Sequence, residues 1–438
     1  MVALLACNAF AGFQPPPLLP EPHKGGVVFS PDGKASLTIN EGIHILKLSG
    51  THYEMGFNHG YLLAPEIINV FTHFGFWIAA ETKQDYGKLI RRQELFDWGE
   101  YEEELKGMLD GLRAALPKEK LIVSPPGQTA RPIELADLKI GNSMGDLMID
   151  IISCSSFSIW GAGRKDGSAL LARNFDWLTD PQNTIMNHQA IISYDPADGA
   201  RWVNVTFAGD IGCISGMNEY GISAVIHVIL NGYKTSDKSG FVPGTIALRK
   251  VIESLNASGS PADADKILDK LPMLGDYAYH IVFPSSGRTD DQVAGIFEYD
   301  GKADHPDGRD TYRKPSDNSR LPKNAVLNQR LDFNYAMINV NHYLMRKHGI
   351  PFAESPYRYA SIKRKLKAAK KDGNVDVEEA RKIMASVGFK PSVLMGRWIS
   401  LHTTIFEPDT RMLHLYFSKN GRPGYENPRM DFAFTDLF

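Results

Sequence analysis

Cysteine is scarce in this 438-residue chain, which has only Cys7, Cys154 and Cys213. Three cysteines do not build a disulfide framework, and no C-x-x-C or H-E-x-x-H spacing points to a metal. Neither a metal nor a cofactor is expected. An excess of one charge is lacking too. Lys and Arg number 48 against 51 Asp and Glu, a net charge of −3. That argues against a nucleic-acid partner held by bulk electrostatics. No run approaches the ~18 consecutive apolar residues of a membrane helix, so no integral span is expected. Histidine is thin where it would matter: between residues 60 and 187 only His73 occurs. A nucleophile in that stretch has no imidazole beside it in sequence. What is present, 43% hydrophobic and 23% charged residues, is the composition of a globular protein with one large domain or two ordinary ones.

The chain changes texture along its length. MVALLACNAFAGFQ is short and apolar without a positive n-region, and Ala9-Phe10-Ala11 is an A-x-A cleavage-like site. Leu4-Leu5-Ala6-Cys7 resembles a lipoprotein box, with Cys7 as anchor. Export is the expectation, whether periplasmic, lipid-anchored or secreted. Residues 14–26 are a Pro-rich linker, so residues 1–26 form a first unit. From 27 to 153 the patterns are mainly helical, with one alternating strand at Gly42–Leu48 and a helix capped by Thr51 and Glu54. From Cys154 to residue 438 strand patterns dominate. Ala190–Tyr194 and Arg201–Phe207 form a hairpin, and Thr245–Leu255 and Ala262–Leu271 are amphipathic helices that fit a layer packed on a sheet. Residues 300–323 are charged and Pro-rich, a surface loop with a lid as its functional alternative.

The stretch Ser153–Trp177, SCSSFSIWGAGRKDGSALLARNFDW, organises the rest. Cys154 heads an alternating strand, Gly161–Gly167 makes a hairpin turn, and a second apolar run leads into Arg173-Asn174-Phe175-Asp176. Pairing the two strands brings Cys154 beside Arg173 and Asp176. A guanidinium favours the reactive thiolate. With no histidine at hand, one candidate base is the α-amine Cys154 would own if the chain were cut after Ser153. Its ordinary pKa of roughly 7.7–8 suits general-base work.

A cysteine heading a strand, a Gly-rich hairpin and R-N-x-D together resemble the N-terminal-nucleophile (Ntn) hydrolases. More closely, they resemble the acyl-coenzyme A:isopenicillin-N (6-aminopenicillanic acid) acyltransferase-like family, related to choloylglycine hydrolase. The resemblance implies an α+β fold: a four-layer αββα sandwich with antiparallel sheets behind a mainly helical pro-segment. It also implies self-cleavage at Ser153–Cys154. Further elements match in order. Ser49–Gly60 is similar to the start of the family's pro-segment, and Gly216–Ile222 (GMNEYGI) to its G-M-N-E-x-G-[LI] element. Asn341-His342-Tyr343, with Val340 where Thr is usual, is similar to T-N-H-[YF], which makes Asn341 the expected oxyanion donor. Ser355–Tyr359 is similar to S-x-x-R-[YF]. Arg358 there would hold either the nucleophile's surroundings or a substrate carboxylate, and it equally reads as the start of a basic helix. His227 falls where relatives place an oxyanion-donating Asn, a departure that leaves it a candidate donor or a core histidine. Leu401-His402-Thr403-Thr404 matches the closing T-L-H-[ST] strand, with His402 structural. His52, His59 and His73 read as structural, and Cys213 as a buried free thiol.

The expected activity is that of an amidohydrolase or acyltransferase on a linear C–N bond of a small N-acyl substrate, with Cys154, Arg173, Asp176, Asn341 and Arg358 at the site. An oligomer is open. The alternatives are a phospholipase-B-like or ceramidase-like lipid amidase, and a binding protein that kept the fold without the chemistry.

Overall fold

A computed structural model describes residues 17–19, 26–147, 152–229, 238–301, 310–321, 329–346, 354–369, 374–392 and 396–438. The leader-like residues 1–16 and most of the Pro-rich linker lie outside them.

Three strands come first: β1 (Val27–Phe29), β2 (Ala35–Asn40) and β3 (Ile43–Gly50). Helices α1 (His52–Leu62), α2 (Ala64–Asn69), α3 (Phe76–Glu81), α4 (Tyr86–Gln93) and α5 (Tyr101–Ala115) follow, with a π-helical stretch at Val70–Gly75. A two-stranded ribbon, β4 (Ile122–Val123) and β5 (Arg131–Pro132), precedes α6 (Leu135–Asn142) and α7 (Met144–Leu147). The long hairpin is β6 (Ile152–Gly161) and β7 (Gly167–Leu178), turning through Gly161 and Gly167, both at positive φ. Then come α8 (Thr184–Asn187), β8 (Gln189–Pro196), β9 (Trp202–Phe207), β10 (Ser215–Asn218), β11 (Ser223–Val228), α9 (Gly244–Ser254), α10 (Pro261–Leu268) and β12 (Tyr277–Val282). The chain finishes with α11 (Asp290–Val293), β13 (Ala294–Tyr299), β14 (Asp310–Arg313), β15 (Ala336–Asn339), α12 (Glu354–Ala369), α13 (Val377–Ala385), β16 (Trp398–Glu407), β17 (Met412–Phe417) and β18 (Met430–Ala433).

Two sheets are stacked. The large one runs β1-β2-β3-β8-β9-β10-β11-β12-β13-β14, and the small one β15-β6-β7-β16-β17-β18. Every neighbouring pair is antiparallel except β3 with β8. Ile191, Val203, Val225, Leu171, Phe406 and Leu415 interdigitate between the sheets. Helices α9 and α10 cover the outer face of the large sheet, and α12 and α13 that of the small one. The layers are therefore α, β, β, α, because a sheet hydrophobic on both faces needs cover on both.

One expectation gains detail and another changes. The segment before Cys154 is mainly helical between His52 and Leu147, interrupted by β4 and β5, and its first strands belong to the large sheet. Along β3, Ile43 and Ile45 enter the inter-sheet core while Leu46 and Leu48 face the helices. Such an alternating strand cannot bury either face alone, so it extends a sheet already there. Within the charged stretch 300–323, Asp310–Arg313 is a strand rather than loop, and its Arg313 is fully buried near Glu298.

Helices α1 and α5 touch backbone to backbone. A Cβ on Gly56 or Gly60 would sit 1.9 or 2.1 Å from the Glu104 or Met108 carbonyl oxygen. One on Gly107 or Gly111 would sit 2.2 or 2.1 Å from that of Tyr53 or Phe57. This approach seats Glu104 deep enough to make two contacts with the buried guanidinium of Arg249, at 2.9 and 2.8 Å. Gly107→Ala is expected to cost about 3 kcal/mol in urea unfolding, since backbone cannot swing aside as a side chain can. A loss under about 0.5 kcal/mol, the size of an ordinary surface change, would show that the helices separate freely.

Candidate active site

Cys154 is the third residue of β6 and is fully buried. Its own face of the strand, shared with Ser156 and Ser158, points toward the large sheet, where Ser156 meets His227 and His280 and Ser158 meets His280. Ser153 and Ser155 point the other way, toward α12.

The strand register carries much of the site. Across β7, Cys154 stands opposite Phe175 and Ser153 opposite Asp176. Arg173, two residues before Phe175, shares the face of Cys154, and its Nη2 donates to Cys154 Sγ at 3.1 Å. The other contacts of Nη1 and Nη2 are with neutral groups, and Nε has no hydrogen-bond partner among the described residues. The guanidinium donates to the carbonyls of Ile226 at 2.8 Å and Ile214 at 3.0 Å and to Ser215 Oγ, and it lies 4.8 Å over the Phe175 ring. No carboxylate among the described residues hydrogen-bonds to it.

On the other edge, β15 ends at Asn339, opposite Ser156. Two residues on, the Asn341 side chain continues the ladder: its Oδ1 accepts the Cys154 N–H at 2.7 Å. Its Nδ2 donates to the Val228 carbonyl at 2.7 Å. Arg358, in the first turns of α12, clasps the same peptide. Nη1 donates to the Cys154 carbonyl at 2.5 Å and to Ser155 Oγ at 2.7 Å, while Nη2 donates to Asn341 Oδ1 at 2.8 Å.

The expected residues thus come together, with two changes of part. Asn341 presents its oxygen, not its N–H₂, to the Cys154 amide, because Arg358 and the Cys154 N–H both demand an acceptor there. Its donor end is spent on Val228. His227 holds Nε2 at 2.8 Å from Ser156 Oγ. That places its ring in a Ser–His chain between the sheets rather than free to meet an oxyanion. Of the alternatives for Arg358, the geometry fits the one in which it holds the nucleophile's surroundings. His52 pairs with Glu104 at 2.9 Å, and His59 Nε2 accepts the Gly209 N–H at 3.1 Å. Cys213 is a buried free thiol whose pKa burial pushes far up.

Burial raises the Cys154 thiol pKa and Asp176 adds to it, while Arg173 opposes both. Burial also pushes Asp176 up to about 7, against the pull of the Ser400 hydrogen bond, Arg358 and Arg173. Cys154 lines a cavity. Six aromatic side chains stand in its walls: Phe71 and Phe74 from the segment before the hairpin, Phe175, Trp177, Phe207 and Tyr277. Among the described residues no lysine or arginine lines it, and the one acid that does, Asp210, is raised by burial to about 6.

Residues 163–422 match the sequence profile of the acyl-coenzyme A:6-aminopenicillanic acid acyl-transferase family. The chain belongs to that family. Its stacked sheets between helical layers are the αββα architecture the resemblance implies. An uncharacterised protein of Archaeoglobus fulgidus is 24% identical over 237 residues, 49% of this chain. The match spans only 37% of that relative's length. Among solved structures, the conjugated bile acid hydrolase of Clostridium perfringens has 13% identity and a TM-score of 0.42, over 65% of this chain and 93% of its own. Penicillin V acylase of Agrobacterium tumefaciens has 14% and 0.40, over 65% and 88%. The Caenorhabditis elegans ortholog of N-acylethanolamine-hydrolyzing acid amidase has 11% and 0.39, over 64% and 100%.

Sequence reasoning missed Ser215 and Ser400, which stand behind Arg173 and Asp176, and the aromatic wall at Phe71 and Phe74. The only signal for the two serines was their place beside quoted motifs, GMNEYGI and LHTT.

A raised carboxyl pKa costs stability as pH climbs. The folded chain holds the Asp176 proton up to about pH 7, the unfolded chain only to about 3.8. Its contribution is therefore intact below about pH 4 and lost as pH rises through 7. In a Cys154→Ala chain, Asp176→Asn is expected to unfold later in urea at pH 8 by a few kcal/mol, with the gap closing toward pH 4. A gap independent of pH would mean Asp176 is already ionised in the folded protein.

Proposed function

We propose that this chain is a cysteine Ntn amidohydrolase or acyltransferase that cuts itself before Cys154 and then acts on a linear amide whose acyl group is apolar and uncharged. The observation that carries the reading is the Cys154 sulfur, set between a guanidinium and the mouth of an aromatic cavity while its own amide is held at both ends.

In the uncut chain, Sγ attacks the Ser153 carbonyl carbon. The C–N bond to Cys154 breaks, its nitrogen takes up a proton, and a thioester replaces the amide. Water opens the thioester, giving a Ser153 carboxylate, a free thiol and a new α-amine. That amine keeps Asn341 Oδ1 as acceptor and stands near Asp176. It accepts the thiol proton when Sγ attacks a substrate carbonyl and returns it to the leaving amine. Arg173 stabilises the thiolate, and Arg358 keeps the Cys154 backbone in place. Water as acceptor then gives hydrolysis, an amine acyl transfer. The cavity, with no cation among its described lining residues, favours an aromatic or aliphatic acyl group over one carrying a carboxylate. A leader-like first stretch supports export as the setting.

The segment before the cut contributes Phe71 and Phe74 to the cavity. It is tied in by the parallel pairing of β3 with β8 and by Arg249, which is caged by Tyr101, Tyr194 and Trp202. Purified protein should give two bands on a denaturing gel, one beginning at Cys154 by mass spectrometry, and both should elute together in native gel filtration. Cys154→Ala should stay whole. A single uncut wild-type band with no turnover of any N-acyl amine would favour the binding-protein alternative. In the cut enzyme, Asp176→Asn should lower kcat by about 10²-fold or more; unchanged kinetics would remove it from the site.

A further inference from the structure

Strand β16 carries one residue too many. Ser400 stands opposite Asp176 and His402 opposite Phe175, so Leu401 has no counterpart on β7. Residues two apart on a regular strand share a face. A bulge breaks that rule and here sends Ser400 and His402 to opposite faces of the small sheet. Toward the helices, Ser400 Oγ donates to Asp176 Oδ1 at 2.5 Å and accepts the Phe389 N–H at 2.9 Å. Toward the large sheet, His402 Nε2 is 3.3 Å from Ser215 Oγ, the hydroxyl that accepts from Arg173. Its ring lies 5.1 Å from Phe175, only 13° from parallel.

Both side chains are fully buried, so water cannot replace either contact. The neighbouring chain presses on the bulge at two glycines. A Cβ on Gly388 would stand 2.8 Å from Ser400 Oγ, and one on Gly424 3.2 Å from His402 Cα.

We propose that the Ser400-Leu401-His402 bulge positions the nucleophile's two charged neighbours: Ser400 orients the Asp176 carboxyl, and His402, through Ser215, orients the Arg173 guanidinium. The proposal rests on Cys154 being the nucleophile. Ser400 and His402 are positioning residues and touch no substrate.

The charged and titratable groups facing Asp176 are Arg358 from α12, Arg173 from β7, Cys154 from β6 and Tyr425. The Ser400 half is tested in the Cys154→Ala chain, which neither cuts itself nor turns over. Urea stability is measured from pH 4 to 9 in that chain and with Ser400→Ala or Ser400→Thr added. Without the hydroxyl the carboxyl holds its proton longer, so the loss of stability should run on to a pH higher by about one unit, and threonine should restore the parent curve. A Ser400→Ala loss equal at every pH would overturn this half.

The His402 half is read in the self-cutting chain as the rate at which iodoacetamide alkylates Cys154. His402→Leu should slow it about tenfold at pH 7 and shift its pH profile upward, and His402→Gln, which still offers Ser215 an acceptor, should largely restore it. An unchanged profile in His402→Leu would overturn that half. Should the parent never cut itself, the proposed function falls, while the Ser400 curves still decide whether the bulge governs Asp176.

Discussion

A buried guanidinium to which no carboxylate hydrogen-bonds among the described residues is the constraint behind this site. Arg173 lies wholly inside the protein. An unpaired buried cation costs several kcal/mol even after its hydrogen bonds are satisfied. The surrounding structure is bent to that end: β10 and β11 turn the carbonyls of Ile214 and Ile226 toward it, Ser215 adds a hydroxyl, and Phe175 lays its ring beneath. The one group with anionic potential that hydrogen-bonds to it among the described residues is Cys154 Sγ, while Asp176 acts on it only through space. In the proposed mechanism, a thiolate at Cys154 would be the anion this charge stabilises.

The small sheet divides the work between its faces. One face carries Cys154 and Arg173, the sulfur and its counter-charge. The other carries Ser153, Asp176, Asn341 and Arg358, which hold the backbone amide and the place where an amine would appear. Alternation along β6 and β7 enforces the split. In the proposed cut form Asp176 would therefore serve the nitrogen side of Cys154, although its charge also raises the thiol pKa. Bringing both to bear on one residue needs a register in which Cys154 opposes Phe175, and the hairpin through Gly161 and Gly167 sets it.

That hairpin could be read from residue order alone. Alternation fixes faces, a Gly-rich turn fixes where the strands reverse, and together they bring Arg173 and Asp176 to Cys154. The αββα layering followed from the same patterns joined to the resemblance. Other features depend on facts a sequence does not carry. Asn341 offers either a donor or an acceptor, and only Arg358, seventeen residues away on a helix, decides which. His227 faces Ser156 because two sheets stack at that point. The parallel pairing of β3 with β8 joins strands separated by eight helices, α1 to α8, and more than a hundred residues, beyond any local signal. A one-residue bulge such as that at Leu401 leaves no mark in the sequence, since Ser400-Leu401-His402 alternates polar and apolar as a regular strand would while every one of these positions is buried.

The segment ahead of Cys154 is more than a cover to be shed. It supplies three edge strands to the large sheet, the aromatic wall opposite Cys154, and Glu104, which shares the buried Arg249 with Glu253. Glu104 meets two nitrogens of that guanidinium, which three aromatic rings cage. Cutting one peptide bond at Ser153 changes none of these contacts. The free energy holding the halves together is therefore independent of the bond that joins them. Under the proposed self-cleavage, the Cys154 nitrogen would become a chain end without giving up the cavity beside its sulfur. The proposed nucleophile, with its own amine as base, would require both at once, and the strands, helices and buried charge before residue 153 would meet that requirement together.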